Sequence, residues 1–192
     1  QDGERIEQLS QRLYGTTSYY WTFIVINPNI KNIWNDWPKN SAQLIDYSIY
    51  KYADFAALAC SCTDDLLNKF IVGEYVQGVL SGAIGQLLAV HTNDKYITIK
   101  LISGEFLEQG EDLFGLESQD TITATEVVSR AYAPKYHVDD STGDITAPRL
   151  AGTHKVTNVE HESYLNDANR YVRAIRPELI NEFVSEFHKE LI

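Results

Sequence analysis

The chain of 192 residues contains no methionine, two cysteines and five prolines, and its 16 Lys and Arg face 27 Asp and Glu. Each scarcity excludes something. Cys60 and Cys62 cannot supply a disulfide framework, because a spacing of two residues is too tight for an ordinary bridge. Nor can two ligands alone build a structural zinc site. They read instead as small apolar residues in a reducing compartment. The net charge of −11, with its cations scattered, excludes a stable partnership with naked nucleic acid, which needs clustered Lys and Arg. No apolar run approaches the ~18 residues of a membrane span; the longest near the start is Phe23-Ile24-Val25-Ile26. No signal-peptide pattern is visible. Residue 1 is Gln and the first residues read as the interior of a motif, so chain is expected upstream of it.

What is present is an ordinary globular balance of 44% hydrophobic and 22% charged residues, which suits one or two compact domains. An acidic surface of this kind favours solubility or docking on basic protein partners. Three segments follow from the patterning. Residues 1–67 read as helical. Ile6, Leu9 and Leu13 recur at helical spacing and Gly15 is placed as a stop. Ser18 is expected to cap a second helix built on Tyr20, Trp21, Phe23, Ile24 and Ile26, ending at Asn27-Pro28. A loop with Trp34, Asp36, Trp37 and Pro38 leads to a third helix, capped by Ser41, through Leu44, Ile45, Ile49 and Tyr52.

Residues 68–133 change character. Gly becomes frequent, and β-branched alternation runs through Tyr96-Ile97-Thr98-Ile99-Lys100-Leu101-Ile102. An internal repeat stands out: Phe70 to Ser81 is echoed by Phe106 to Ser118, sharing Phe, then Gly-Glu, an apolar strand residue, Gly and Ser. Short strands alternating with tight glycine corners predict a small antiparallel β-barrel or sandwich. Residues 134–192 open with a turn-rich connection, Asp139 to Asp144 and Pro148, and return to helix. Thr157 or Asn158 caps a helix expected to run to about Ile175, with Pro177 in a first helical turn. Ile180, Phe183, Val184, Phe187 and Leu191 then form one stripe of a last helix, which packs on the domain or docks on another chain. The fold class is α+β, a helical head with an inserted β-module and C-terminal helices.

Three residue sets resemble a known family when taken in order. Asp2-Gly3-Glu4-Arg5-Ile6, Leu13-Tyr14-Gly15, Trp21 and Ile26-Asn27-Pro28 are similar to a LysM module, two helices on a two-stranded sheet whose first strand would precede residue 1. Tyr14-Gly15, Tyr20-Trp21, Asn27 and Trp37-Pro38 resemble more closely the LysM-containing baseplate wedge subunit of contractile-tailed bacteriophages. Tyr136-His137, Val156-Thr157-Asn158, Asn166-Asp167, Arg170 to Pro177 and the Phe-rich last helix add a second likeness to it. Together these cover residues 1–56 and 132–192, and the β-segment departs from the pattern. The resemblance implies a structural virion protein, made in the host cytoplasm and placed at the tail baseplate in several copies around the tail axis. Its expected partners are other wedge and sheath-initiating proteins, not nucleic acid or membrane, and it implies no catalysis, cofactor or metal.

The residues expected to meet partners are the aromatics Tyr19, Tyr20, Trp21, Trp34 and Trp37, the Phe183 and Phe187 pair, and Arg170, Arg173 and Arg176. Aromatics bury large area at low entropic cost in interfaces. The three arginines, three residues apart, would line one side of a helix end and pair with acidic neighbours. A LysM module could instead bind peptidoglycan near Gly3-Glu4 and Asn27-Pro28-Asn29-Ile30. Enzyme chemistry finds no foothold. His161-Glu162 lacks the second His of a zinc helix, and Asp139-Asp140 near His137 sit in an ordinary turn. His154 with Glu160 and His161 offers no helix-face pair, Ser81-Gly82-Ala83 lacks a nucleophile elbow, and Gly78 to Gly85 carries no phosphate-binding Lys. If the last helix docks on another subunit, amide hydrogen exchange over residues 178–192 is expected to be faster in the isolated chain than in the assembly. Equal protection in the two states would show that it folds without a partner.

Overall fold

The structure, a computed structural model, describes residues 3–61, 63–146 and 151–190. In chain order the helices α1 (Ile6–Tyr14), α2 (Trp21–Ile26), α3 (Ile33–Asp36) and α4 (Ser41–Lys51) precede strand β1 (Phe55–Cys60) and the single turn α5 (Asp64–Leu67). Strands β2 (Tyr75–Gly78), β3 (Ile84–His91), β4 (Tyr96–Ser103), β5 (Asp112–Gly115), β6 (Thr121–Ser129), β7 (Pro134–Asp139), β8 (Ile145–Thr146) and β9 (Thr153–Thr157) follow, then α6 (Asn158–Ala168) and α7 (Ile180–Glu190). Two compact units result: residues 1–44 with 162–192, and residues 45–161. Among the described residues no helix is long and apolar enough to cross a membrane.

The helical unit follows the spacing of its apolar residues. Ile6, Phe23, Ile30 and Trp37 form its core, with Leu9, Leu13, Tyr14 and Val172 packed around them. Gly15, at φ 73°, ends α1 by donating its N–H to the Gln11 carbonyl, the left-handed cap that only glycine adopts without strain. Two caps differ from expectation. Thr16, not Ser18, accepts at the turn before α2. At α4 the cap is Asn40, not Ser41: Asn40 Oδ1 accepts from Gln43 N at 2.9 Å and Gln43 Oε1 accepts from Asn40 N at 3.0 Å. That reciprocal pair satisfies two of the four orphan donors at the helix start. Helices α1 and α2 lie where the sequence predicts helix, but among the described residues of this unit there is no strand, so the two-stranded sheet of a LysM module is not found there.

The second unit is built on a closed six-stranded antiparallel barrel in the order β1-β4-β3-β2-β5-β6, so the barrel alternative of the sequence expectation holds and the sandwich does not. Its first strand lies in the stretch read as helical up to Leu67. Phe55-Ala-Ala-Leu-Ala-Cys60 has good helix formers, yet it pairs with β4 and β6 at once. Closing the barrel pairs the strand's backbone on both sides, which outweighs a weak helical propensity. Cys60 is part of the barrel core; Cys62 lies outside the described residues. The connection expected from residue 134 is partly a sheet of order β8-β7-β9. Its acidic turn is an Asx turn, in which Asp139 Oδ1 accepts from Ser141 N and Oγ and from Thr142 N. Pro148 lies outside the described residues.

The repeat seen in the sequence is a pseudo-twofold axis of the barrel. Strands β1, β2 and β3 correspond to β4, β5 and β6, and the like strands β1 and β4, and β2 and β5, pair across the axis. Phe70 and Phe106 are buried equivalents, as are Val76 and Leu113. The two glutamates of the repeat exchange partners. Glu74 takes the Ile71 N–H of its own repeat on Oε1 and, on Oε2, the Glu117 and Ser118 N–H groups and the Ser118 hydroxyl of the other. Glu111 takes the Leu107 N–H on Oε1 and the Leu80 and Ser81 N–H groups of the first repeat on Oε2. Each carboxylate lies under a glycine. A Cβ at Gly115 would collide with Ser118 Oγ and Glu74, and one at Gly78 with Ser81 Oγ and Glu111.

Both glutamate residues are nearly covered, at 1% and 4% exposed. Burial alone would push the Glu74 carboxyl up; the Ser118, Ile71 and Glu117 amides together overcome it and hold it below its ordinary value. Glu111 is lowered against the same burial by the Ser81 hydroxyl and amide and the Leu107 and Leu80 amides. A carboxyl lowered in the folded state contributes stability above its unfolded pKa, and that contribution is lost as pH falls through the folded value. Glu74→Gln and Glu111→Gln are each expected to cost about 3 kcal/mol at neutral pH, since buried donors lose a charged acceptor. The difference from the parent chain should shrink below roughly pH 4 as the parent carboxyls protonate. Urea midpoints at several pH values measure this; a pH-independent difference would show that shape, not charge, holds the turns.

Candidate interaction surface on the helical unit

After α6 ends at Ala168, residues 169–176 run outside any helix. The expected continuation to Ile175 is overridden by side chains that claim this backbone. Asn27, only 2% exposed, donates its amide to the Arg173 carbonyl at 3.0 Å and accepts the Arg173 N–H at 2.9 Å. Tyr14 donates its hydroxyl to the Ile175 carbonyl at 3.0 Å. Val172 packs into the core. Burial pushes the Tyr14 phenol up, against the Thr22 and Ile175 hydrogen bonds. Asn166 repeats the device on Lys39, accepting its N–H at 2.8 Å and donating to its carbonyl at 3.0 Å. Asn169 donates to the Asp36 carbonyl. Amides that bind both groups of one residue imitate a strand pairing, which a helix over these residues would forfeit.

Arg170, Arg173 and Arg176 therefore do not line a helix. They sit in this non-helical strap, and all three are exposed.

The aromatics divide. Trp37 is core: it is 9% exposed, packs edge-on to Phe23 and donates its indole N–H to the Glu4 carbonyl at 2.7 Å. Trp21 is half-buried, with ring centroids of Phe187 at 4.9 Å and Phe183 at 6.3 Å. The α7 stripe of Ile180, Phe183, Val184 and Phe187 thus packs within its own unit; Leu191 lies outside the described residues. Tyr19 is half-buried and donates its hydroxyl to Asn181 Oδ1 at 3.0 Å. Trp34 and Tyr20 remain at the surface, 83% and 39% exposed. Tyr171, 88% exposed, was missed because the strap was read as helix.

The strap borders a cleft of about 480 Å³ lined by Leu9, Arg12, Trp37, Asn166, Arg170 and Tyr171 among others. Arg12 is committed there: its guanidinium grips both Glu4 oxygens at 2.9 and 2.8 Å. That hydrogen bond holds the Glu4 carboxyl below its ordinary range. Arg170 and Tyr171 lie at the cleft, offering a cation beside an aromatic face, a combination common at protein interfaces.

The histidines weighed for chemistry lie in the barrel unit and are not gathered. His137 Nε2 meets Asp94 at 3.2 Å, not Asp139 or Asp140. His154 Nδ1 meets Asp140 at 2.6 Å, and His161 meets the Tyr136 hydroxyl at 3.2 Å. Glu160 instead caps α6 through Thr157 N and Oγ1, which makes Thr157 the cap.

Residues 1–59 match the family described as base plate wedge protein 53. The match covers less than a third of the chain and takes in α1 to α4 and most of β1. No characterised protein and no solved structure matches.

Asn27→Ala is expected to lower stability by about 2 kcal/mol, because it leaves a buried N–H and C=O without partners. Exchange should rise at the Arg173 amide in particular. Asn27→Asp keeps the acceptor and should protect that amide better than Ala does. Denaturant melts with residue-resolved exchange measure both; unchanged protection at Arg173 would show that the strap is held by packing alone.

Proposed function

We propose that this chain is a structural, non-catalytic subunit of a bacteriophage tail baseplate wedge. The observation that carries this is the match of residues 1–59 to the baseplate wedge family, a stretch that includes all of the unit's first 44 residues. In this proposal the helical unit docks on neighbouring wedge and sheath-initiating proteins in a contractile tail, in several copies around its axis. Assembly takes place in the host cytoplasm before the tail is complete. Trp34, Tyr20, Tyr171 and the strap arginines are the side chains offered to those neighbours. Trp21, Phe183 and Phe187 serve indirectly, by fixing α7 on the unit. The arrangement suits binding by shape and apolar burial, with the arginines choosing acidic partners.

A LysM-type peptidoglycan binder is the competing assignment, and one experiment separates the two. The protein is mixed with the other purified wedge components of the phage and followed by sedimentation, beside a pull-down on purified sacculi. Co-assembly without sacculus binding is expected. Trp34→Ala and Arg173→Glu should each weaken co-assembly by roughly tenfold, the scale of one interface anchor. Both side chains are exposed, so the fold tolerates the changes. Sacculus binding without co-assembly would overturn the proposal.

A further inference from the structure

The barrel unit carries an apolar surface that its fold does not require. On the paired strands β2 and β5, Val76 and Leu113 point inward and are fully buried. Alternate residues point outward. The ladder extends one residue past each end, with Leu116 N–H donating to the Tyr75 carbonyl at 2.9 Å and Val79 N–H to the Asp112 carbonyl at 2.8 Å. Outward neighbours are therefore Tyr75 beside Leu116, Gln77 beside Phe114, and Val79 beside Asp112. Tyr75, Val79 and Leu116 are 46%, 57% and 41% exposed, and Leu80 next to Val79 is 75% exposed. Ile71 and Val72, also exposed, join at the Leu116 end, because Glu74 holds the Ile71 amide and the 117–118 turn on one carboxylate.

The pseudo-twofold axis supplies an internal control. Where the first repeat has Val72, Tyr75 and Leu80, the second has Glu108, Asp112 and Glu117. Those three positions thus fold with carboxylates, whereas Val79 and Leu116 correspond to each other and are apolar in both repeats; the apolar side chains at 72, 75 and 80 serve something other than the barrel. Contiguous exposed apolar surface of this kind marks interaction sites. Both strands are paired on each side in a closed barrel, so strand addition is excluded and contact must be made by side chains.

Charge selects the occupant. Residues 101–129 hold seven Asp and Glu and no Lys or Arg; Glu108, Asp112 and Glu117 are exposed around the ribbon. Over residues 45–161 there are 17 acidic against 8 basic residues, a net −9 of the chain's −11. A second copy would bring like charges together, and nucleic acid or an anionic membrane would be repelled. We infer that the outer face of the β2–β5 ribbon docks a protein segment with apolar side chains flanked by Lys or Arg. This does not rest on the wedge assignment: failed co-assembly would leave it standing.

The test uses the full chain, isotope-labelled, and two synthetic probes: a peptide alternating Lys with Leu and Phe, and its counterpart with Glu for Lys. The basic peptide is expected to shift amide resonances of residues 71–80 and 107–117, more weakly as salt rises, and the acidic one to shift none. Tyr75→Glu with Val79→Glu should weaken binding by roughly tenfold, and so should Asp112→Lys with Glu117→Lys, a pair that leaves the apolar set intact. Asp46→Lys, outside the ribbon, should not. Shifts spread over all acidic residues, or equal binding by the ribbon variants, would overturn the inference as general charge attraction. Reversible dimerisation of the parent chain abolished by Tyr75→Glu would overturn it in favour of a second copy.

Discussion

Two buried carboxylates hold the barrel in register. Glu74 and Glu111 each reach across the pseudo-twofold axis to bind the turn of the other repeat, so neither half can complete its own turn alone. A carboxylate offers several acceptor sites and no donor, which suits a corner where three or four N–H and O–H groups converge. The cost is burial of charge, and it is tolerable only because the donors converge so fully that the ionised form is favoured. The glycines at 78 and 115 are the steric condition for this: any side chain would occupy the carboxylate's place. The apolar core of Leu58, Leu87, Ile97, Ile99, Leu113 and Ile122 then fills the barrel, each such side chain stabilising by about 1.5–3 kcal/mol. The carboxylates decide the alignment; the core supplies most of the stability.

The helical unit solves a related problem with amides. Its residues 3–44 have a small core, and the strap after α6 closes it with Val172. The strap's backbone has no sheet to join, and Asn27 provides the missing donor and acceptor at Arg173 from its side chain, as Asn166 does for Lys39. This leaves Arg170, Tyr171, Arg173 and Arg176 facing solvent on a chain whose backbone is fixed. Preorganised exposed side chains lose less entropy on binding than mobile ones. That property suits the docking role proposed for this unit.

The two units differ in the surface they present. The helical unit carries 10 acidic and 8 basic residues, whereas the barrel unit holds nearly all of the net charge. A protein with one near-neutral, aromatic-bearing unit and one acidic unit can discriminate two kinds of partner, since charge governs which surfaces approach and apolar burial governs which stay. The family match takes in the first 44 residues of the helical unit and runs on into β1 of the barrel unit, and the β2–β5 ribbon lies outside it.

What the sequence determined by itself was set by local spacing. Ile6, Leu9 and Leu13 with Gly15 specify α1, Pro177 the turn before α7, and the Phe and Gly-Glu repeat a β-module of two like halves, because each signal lies within one turn or one hairpin. Trp34 and Tyr20 are exposed and Trp37 and Trp21 are packed, a division the sequence could not make, because an aromatic's burial depends on what packs against it. Only the tertiary structure decided that Phe55–Cys60 is a strand, that the barrel closes, and that the arginine segment is a strap. In each case partners distant in sequence satisfy the backbone: β4 and β6 for the strand, Asn27 for Arg173 across 146 positions. Local propensity differs by tenths of a kcal/mol per residue, and a buried hydrogen bond left unmade costs more than that.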